Sequence, residues 1–427
     1  MKYVFSTLGC KVNQFETQAM EKLLQEKGFI PAGSESADVV VVNTCAVTAE
    51  SVRKSRQTVR RLRNQHPGAL TAVCGCFSQI SPEDASALGA DIVYGSGDRK
   101  KLVEDIIKAL EERQKIISVD DPFKRRVFEP LTAGAVDGRT RAMLKIQDGC
   151  DNFCTYCIIP YARGRVRSLP LNEITRQSAE LSSEGFREIV VTGIEIASYG
   201  KDLRDGTHLA DAIAAAAKSA PNARIHIGSL EPTVITEEFC ARLAELGNVC
   251  PHFHLSVQSG SDEVLRRMNR KYDTARLLRA AENLRRYFPE CALTADLITG
   301  FPGETLEQHA ETLRTIRACA FSQMHVFPYS IREGTKAASM SDQLTAAEKE
   351  RRAREVRAVA EEMRSGYLCS CVGQTLSVLF ETEEDGYSFG HADNYCEVRV
   401  SGDGLRGIVQ NVQITAVSGQ TLVGNVV

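Results

Sequence analysis

The chain has 427 residues, 43% hydrophobic and 25% charged, with a formal net charge of −3. That length allows about three domains with substantial cores, and the composition is ordinary for a globular protein. Near-neutral charge excludes a global basic field for nucleic acid, so any phosphate grip must be local.

No apolar run approaches the roughly 20 residues that span a bilayer. The "LGC" near the start follows too short an apolar stretch for a secretory leader. The chain therefore reads as cytoplasmic, with no membrane partner. In that compartment its 14 cysteines point to metal or catalysis rather than disulfides.

Over residues 1–120, "YVFSTL", "DVVVVN", "ALTAVC" and "DIVYGS" are short β-branched runs separated by helical periodicity. They predict a parallel α/β, Rossmann-like domain. Cys10, Cys45 and Cys76 each directly follow one of the first three runs. In a parallel sheet those ends converge on one crevice, so these three cysteines form a candidate metal site. "CGC" also offers Cys74. A period of 2 puts Cys74 and Cys76 on one face, but Cys74 lies inside the strand, which favours Cys76 as the ligand.

Residues 121–140 carry Pro and Gly with little periodicity and read as a linker. Beyond them, "DGCDNFCTYCIIP" spaces Cys150, Cys154 and Cys157 as C-x3-C-x2-C, with the aromatic Tyr156 before the last. Structural zinc wants four ligands, and no His or fourth Cys lies nearby. Three thiolates suit an iron–sulfur cluster with one iron left open. This motif resembles that of the radical S-adenosylmethionine (SAM) superfamily. The resemblance implies that SAM chelates the open iron and is cleaved there to a 5′-deoxyadenosyl radical.

From 141 to 365, "AMLKIQ", "EIVVTG", "ARIHIGSL", "HFHLSV", "ALTADLI" and "MHVFPYS" alternate with helical stretches. Six such units predict an incomplete parallel (β/α)6 barrel, with ligand sites at its strand carboxyl ends, followed by a charged helix at 345–365. Residues 366–427 break into five short strands between Gly and Asp turns, predicting a small β-barrel.

"TLGCKVNQFET", "VNTCAVT", "GCFSQ", "DLITGFPGET" and "FPYSIREGT" extend the resemblance over nearly the whole chain. It is similar to the radical SAM methylthiotransferases, whose carboxy-terminal module is a TRAM domain, and "LGCKVNQ" resembles the branch acting on threonylcarbamoyladenosine in tRNA. The resemblance implies two 4Fe-4S clusters. One is held by Cys150, Cys154 and Cys157. The other, an auxiliary sulfur-bearing cluster, is held by Cys10, Cys45 and Cys76. SAM then serves both as methyl donor and as radical source, and the methylthio group goes to position 2 of the adenine. Implied partners are tRNA and an electron donor such as flavodoxin or ferredoxin; no motif identifies the sulfur donor. The isopentenyladenosine branch, the ribosomal-protein branch and a non-catalytic iron–sulfur RNA-binding sensor are the alternatives.

By the same resemblance Tyr156 adjoins the SAM site. Glu195, after the second barrel strand, accepts a hydrogen bond from SAM's amine or is a solvated loop glutamate. Ser256 and Gln258 contact SAM's ribose or carboxylate, or simply line the barrel. The last 61 residues, 367–427, hold two Arg and no Lys against seven Asp and Glu, which disfavours the tail as the phosphate anchor. The candidate tRNA-binding residues are Arg53, Arg60 and Arg61 after Cys45, Arg165 and Arg167 in "ARGRVR", and Arg267 and Arg270 after the fourth barrel strand. Each run begins at a strand carboxyl end, so together they are expected to ring the active-site mouth.

Overall fold

The computed structural model describes residues 1–33, 35–112, 114–133 and 140–427. Its first sheet centres on β3 (Val39–Thr44), whose valines are buried on both faces, as a central parallel strand requires. With β1 (Lys2–Thr7), β2 (Ile30–Pro31), β4 (Leu70–Gly75), β5 (Ile92–Tyr94) and β6 (Ile116–Ser118) it forms a parallel sheet of order β2-β1-β3-β4-β5-β6. One face packs on α1 (Lys11–Glu26) and α5 (Arg99–Glu112) through Met20, Leu24, Leu102 and Ile106. The other packs on α2 (Ala49–Gln65), α3 (Cys76–Ile80) and α4 (Pro82–Ala87) through Val59, Leu62, Phe77 and Ala85.

The six expected barrel strands are present and parallel: β7 (Arg141–Asp148), β9 (Glu188–Gly193), β10 (Arg224–Ile227), β11 (His252–Gln258), β12 (Ala292–Thr299) and β13 (Gln323–Pro328). Among the described residues the strand pairing between its two halves, from β10 to β11, is limited to the isolated bridges Ile225–Val249 and Leu230–Leu255. A short β8 (Arg167–Ser168) pairs antiparallel on the outer edge of β7. Helices α7 (Leu171–Ser183), α8 (Leu209–Ser219), α9 (Glu237–Ala244), α11 (Thr274–Tyr287) and α12 (Leu306–Cys319) clothe the outside, while α6 (Ile159–Arg163) and α10 (Asp262–Arg267) follow strand carboxyl ends. Helix α1 of the first domain packs on β7 and β9.

The tail closes as a five-stranded barrel of order β14-β15-β16-β18-β17, from β14 (Thr375–Glu384), β15 (Tyr387–Ala392), β16 (Glu397–Ser401), β17 (Val409–Ser418) and β18 (Thr421–Val426). The charged helix, α13 (Ala346–Ser370), runs past 365, and its Leu368 joins the tail core. The expected boundary at 365/366 thus falls inside one helix. The tail docks on the (β/α)6 barrel through polar contacts: Arg141 reaches Glu381 at 2.8 Å, and Arg224 donates to the carbonyls of Ser377 and His391.

The segment expected to be a linker is packed. Phe128 enters the (β/α)6-barrel core, and Leu131 and Ala133 pack against Phe15 and Ala19 of α1. Its residues 134–139 lie outside the described residues. Among the described residues no helix is long and apolar enough to cross a membrane.

Candidate functional site

Cys10 caps the start of α1, Cys45 follows β3, and Cys76 opens α3 after β4. A methyl group at Gly9 would lie 2.9 Å from the Cys45 sulfur, so the first two loops touch. Burial, then the neighbouring charges of Cys76 and Cys10, pushes the Cys45 thiol up to about 11. Asn13 stitches these loops together, donating to the carbonyls of Leu8 at 2.8 Å and Thr44 at 3.0 Å. Cys74 stands apart. It packs with Met20, Leu24 and Leu102, whereas Cys76 packs with Val59 and Phe77 across the sheet. The same-face expectation fails because Gly75, at φ +103°, breaks the pleat and turns the chain into α3.

The second trio lies in the loop after β7. Gly149 has φ +74°, and a Cβ there would meet the Arg165 carbonyl at 1.8 Å, so only glycine fits. The loop is fixed by Cys150 N donating to Gly164 O, Thr155 N to Met268 O and Ala337 N to Thr155 O. Burial and Cys154 push the Cys157 thiol up to about 12. Tyr156 packs beside Met268, Phe301 and Tyr329. Burial and the nearby Glu231 charge raise the Glu195 carboxyl to about 7, against the pull of Arg270 and Lys201. Ser256 and Gln258 lie at the carboxyl end of β11, where a register shift ends in Gln258 at φ +61°. Such a bulge re-aims a side chain.

Cys10 and Lys11 line a cavity of about 380 Å³ that opens into the (β/α)6-barrel bore at Thr192, Ser229, His252 and Thr294, with Tyr395 of the tail at its rim. A buried ionic hub joins the two halves: Glu16 of α1 meets Arg163, and also Arg99 and Lys145, each at 2.9 Å.

That hub corrects several expectations for tRNA binding. Arg167 is 4% exposed and bonded to the carbonyls of Arg163 and Arg165, with Asp148 at 3.5 Å. Arg270, equally buried, donates to the Cys154 sulfur at 3.3 Å and pairs with Glu231 at 3.2 Å. It serves the cysteine loop, not phosphate. Arg267 is held by Pro302 O and Gln308. Arg60 and Arg61 are exposed, but α2 runs away from the crevice and they lie about 16 Å along it from Ala49. Arg53, one turn into α2, pairs with Glu50 at 2.5 Å, and Arg165, 59% exposed, pairs with Asp151 at 3.5 Å.

Other residues of the site escape sequence reasoning. The pKa of Arg332, in the loop after β13, is lowered by burial, and the nearby Cys45 partly offsets that. Glu231 follows β10, a strand end that fitted the same rule as Glu195. Glu16 carries no sequence mark beyond facing inward on an amphipathic helix.

The donor chemistry fits iron–sulfur clusters. Burial raises the Cys10, Cys45, Cys150 and Cys157 thiols, which need a cationic group to ionise them. Among the described residues neither trio brings all three sulfurs within 4.8 Å of one another, a spacing too open for one tetrahedral ion. Glu188, His226 and Cys250 do meet that spacing. There, however, Arg224 at 2.7 Å and Arg141 at 3.7 Å already neutralise Glu188, and two guanidiniums repel a cation.

Comparison with known proteins agrees with this geometry. Residues 144–316 match the radical SAM superfamily, and residues 2–95 match the uncharacterized protein family UPF0004. The chain is 40% identical, over 96% of its length and 93% of the relative, to threonylcarbamoyladenosine tRNA methylthiotransferase MtaB of Bacillus subtilis. It is 37% identical to the Thermotoga maritima protein of that name, over 88% of this chain and 85% of that one. Identity is 33% to tRNA-2-methylthio-N(6)-dimethylallyladenosine synthase of Symbiobacterium thermophilum, over 99% and 93%. In fold it is similar to the radical SAM methyltransferase TsrM of Kitasatospora setae, with TM-score 0.57 and 16% identity over 79% of this chain and 77% of that one.

Proposed function

Because the chain belongs to the radical SAM tRNA methylthiotransferase family, we propose that it adds a methylthio group to position 2 of threonylcarbamoyladenosine beside the tRNA anticodon. The observation that carries this reading is the pair of three-cysteine groups that follow strand carboxyl ends and are linked through Glu16, Arg163, Asn13 and Asp148. The threonylcarbamoyl substrate is supported by the Bacillus and Thermotoga relatives and by "LGCKVNQ".

Cys150, Cys154 and Cys157 hold one 4Fe-4S cluster, and Cys10, Cys45 and Cys76 hold the other. Bound there, the clusters and SAM supply the one-electron reduction, the hydrogen abstraction, the sulfur and the methyl group that no side chain supplies. The residues do the rest. Arg270 lies against Cys154 and offsets thiolate charge. Glu195 and Glu231 offer carboxylates to SAM's ammonium, and Ser256 and Gln258 offer polar groups to its ribose or carboxylate. Tyr156 and its apolar neighbours keep water from the cysteine loop. Reduction comes from a small donor such as flavodoxin or ferredoxin.

The test is anaerobic incubation with SAM, dithionite and tRNA, read by nucleoside mass spectrometry. The expected product is 2-methylthio-threonylcarbamoyladenosine together with 5′-deoxyadenosine. The isopentenyl analogue as product moves the protein to the sister branch, and absence of 5′-deoxyadenosine removes the reading.

A further inference from the structure

Beside the cysteine loop lies a surface that neither trio uses. Phe123, Phe153 and Tyr161 form an aromatic group: Phe123 and Phe153 stack at 6.3 Å and 7°, and Tyr161 meets Phe153 edge-on at 5.8 Å. Phe153 is 37% exposed and Tyr161 42%. Phe153 sits between Cys150 and Cys154 with φ +46°, a left-handed conformation that bulky residues rarely adopt. Asn269 holds it there by donating to the carbonyls of Asn152 and Phe153, each at 3.1 Å. Folding alone gains nothing from pressing a phenylalanine ring outward in this way.

Next to these rings is a cleft of about 490 Å³ lined by Arg125, Arg126, Arg165, Lys201 and Arg204, with Asp151 and Asp202. Arg125 is committed to Asp120, and Arg165 pairs with Asp151 at 3.5 Å. Asp202 is occupied by the Ser168 backbone and hydroxyl. Among the described residues Arg126, Lys201 and Arg204 have no carboxylate partner within 4 Å, and all three are exposed. Arg126 donates to the carbonyl of Phe123, so rings and cations form one continuous surface.

From this juxtaposition we infer that the Phe123–Phe153–Tyr161 rings and the Arg126–Lys201–Arg204 cleft are the docking surface for single-stranded RNA, with unpaired bases stacking on the rings and flanking phosphates in the cleft. The inference rests on the tRNA reading above and deepens it, because an anticodon loop offers this combination of splayed bases and close phosphates. Aromatic stacking tolerates any base, and unpaired guanidinium and ammonium groups grip the backbone. A protein partner would ask for apolar area without this excess of cations. The surface adjoins the loop carrying Cys150, so a nucleotide beside the docked ones comes to the radical source.

The test uses the full-length protein with both clusters reconstituted and a synthetic anticodon stem–loop as probe. Iron content and thermal midpoint serve as folding controls. Arg126→Glu with Arg204→Glu should weaken binding at least tenfold, and should lower the slope of log affinity against log salt by about 1.4 units. Should that pair loosen the strap around Phe123, Lys201→Glu with Arg204→Glu carries the same expectation from exposed loop positions. Tyr161→Ala should weaken binding with the slope unchanged, because stacking releases no counterions. Wild-type affinity and slope in all of these variants overturn the inference alone. A wild-type protein that binds no stem–loop overturns the tRNA reading as well.

Discussion

Glu16 and Arg163 form an ion pair across the boundary between the first domain and the (β/α)6 barrel, with side chains 2% and 0% exposed. The same guanidinium donates to Asn13 Oδ1 at 2.7 Å, and Asn13 in turn clasps the loops before Cys10 and Cys45. Arg163 also stands 3.5 Å from Asp148, two residues before Cys150. One buried charge thus fixes the relative position of the two cysteine sites.

Removing one member of such a group leaves cations buried without compensation, which costs about 3–5 kcal/mol. Glu16→Gln strands Arg99 and leaves Lys145 and Arg163 with Asp148 as their one shared carboxylate. The cluster-free variant should lose that much stability in urea unfolding followed by circular dichroism. A loss below about 1 kcal/mol would mean that the cations find other partners and the hub does not hold the domains.

Acid should loosen the contact between the (β/α)6 barrel and the tail. Burial by itself raises the Glu188 carboxyl, but the His226 hydrogen bond and the Arg224 and Arg141 guanidiniums bring it down to about 2. That lies below the unfolded value of about 4.3. Its stabilisation is therefore complete above pH ~4.3 and disappears as pH falls toward 2, a change of about 3 kcal/mol. Glu188→Gln in the cluster-free chain should be less stable at neutral pH and show a flatter acid limb. An acid limb as steep as the wild type's would refute the assignment.

All six barrel strands and all five tail strands were legible, because β-branched runs between Gly and Pro turns leave few alternatives. The placement of the six cysteines after strand ends was legible for a related reason: a strand's carboxyl end is a place that sequence order alone reveals. What escaped was partnership at long range. Arg163, Arg167 and Arg270 sit in basic runs that read as phosphate-binding, yet Glu16, Asp148 and Glu231 close on them in the fold. Local charge counts carry no information about a carboxylate brought in from another element, as Glu16 is from 147 residues away. Residues 121–133 looked like a linker because a packed strap has no period.

The same geometry reverses one expectation for RNA. Arg60 and Arg61 lie toward the far end of α2, so Arg60→Glu with Arg61→Glu should leave stem–loop affinity and salt slope within about twofold of wild type. A fall as large as that expected for Arg126 and Arg204 would show that RNA wraps onto the first domain.

Iron content should divide between the two sites. The fully loaded chain should carry about eight irons, and Cys150, Cys154 and Cys157 changed to Ala should leave about four. Zinc in place of iron, with no visible charge-transfer absorbance, would contradict the cluster assignment at both sites.

The pair Cys74 and Cys76 gives the sharpest test of that assignment. Both follow apolar residues, both are buried, and only Gly75 separates them. Their surroundings differ. Cys74 has no exposed surface and packs within the α1–α5 side of the sheet, so its sulfur is a core atom. Cys76 begins a helix at the crevice edge, close enough to Cys10 and Cys45 to raise their proton affinity. Cys74→Ala should keep all irons and lose about 1 kcal/mol from a small cavity. Cys76→Ala should lose about four irons and all methylthiolation, while still forming 5′-deoxyadenosine from SAM, because the second trio is untouched. The reverse result, with Cys74→Ala folded but inactive, would place the ligand on the wrong side of Gly75 and undo the convergence of three strand ends on one crevice.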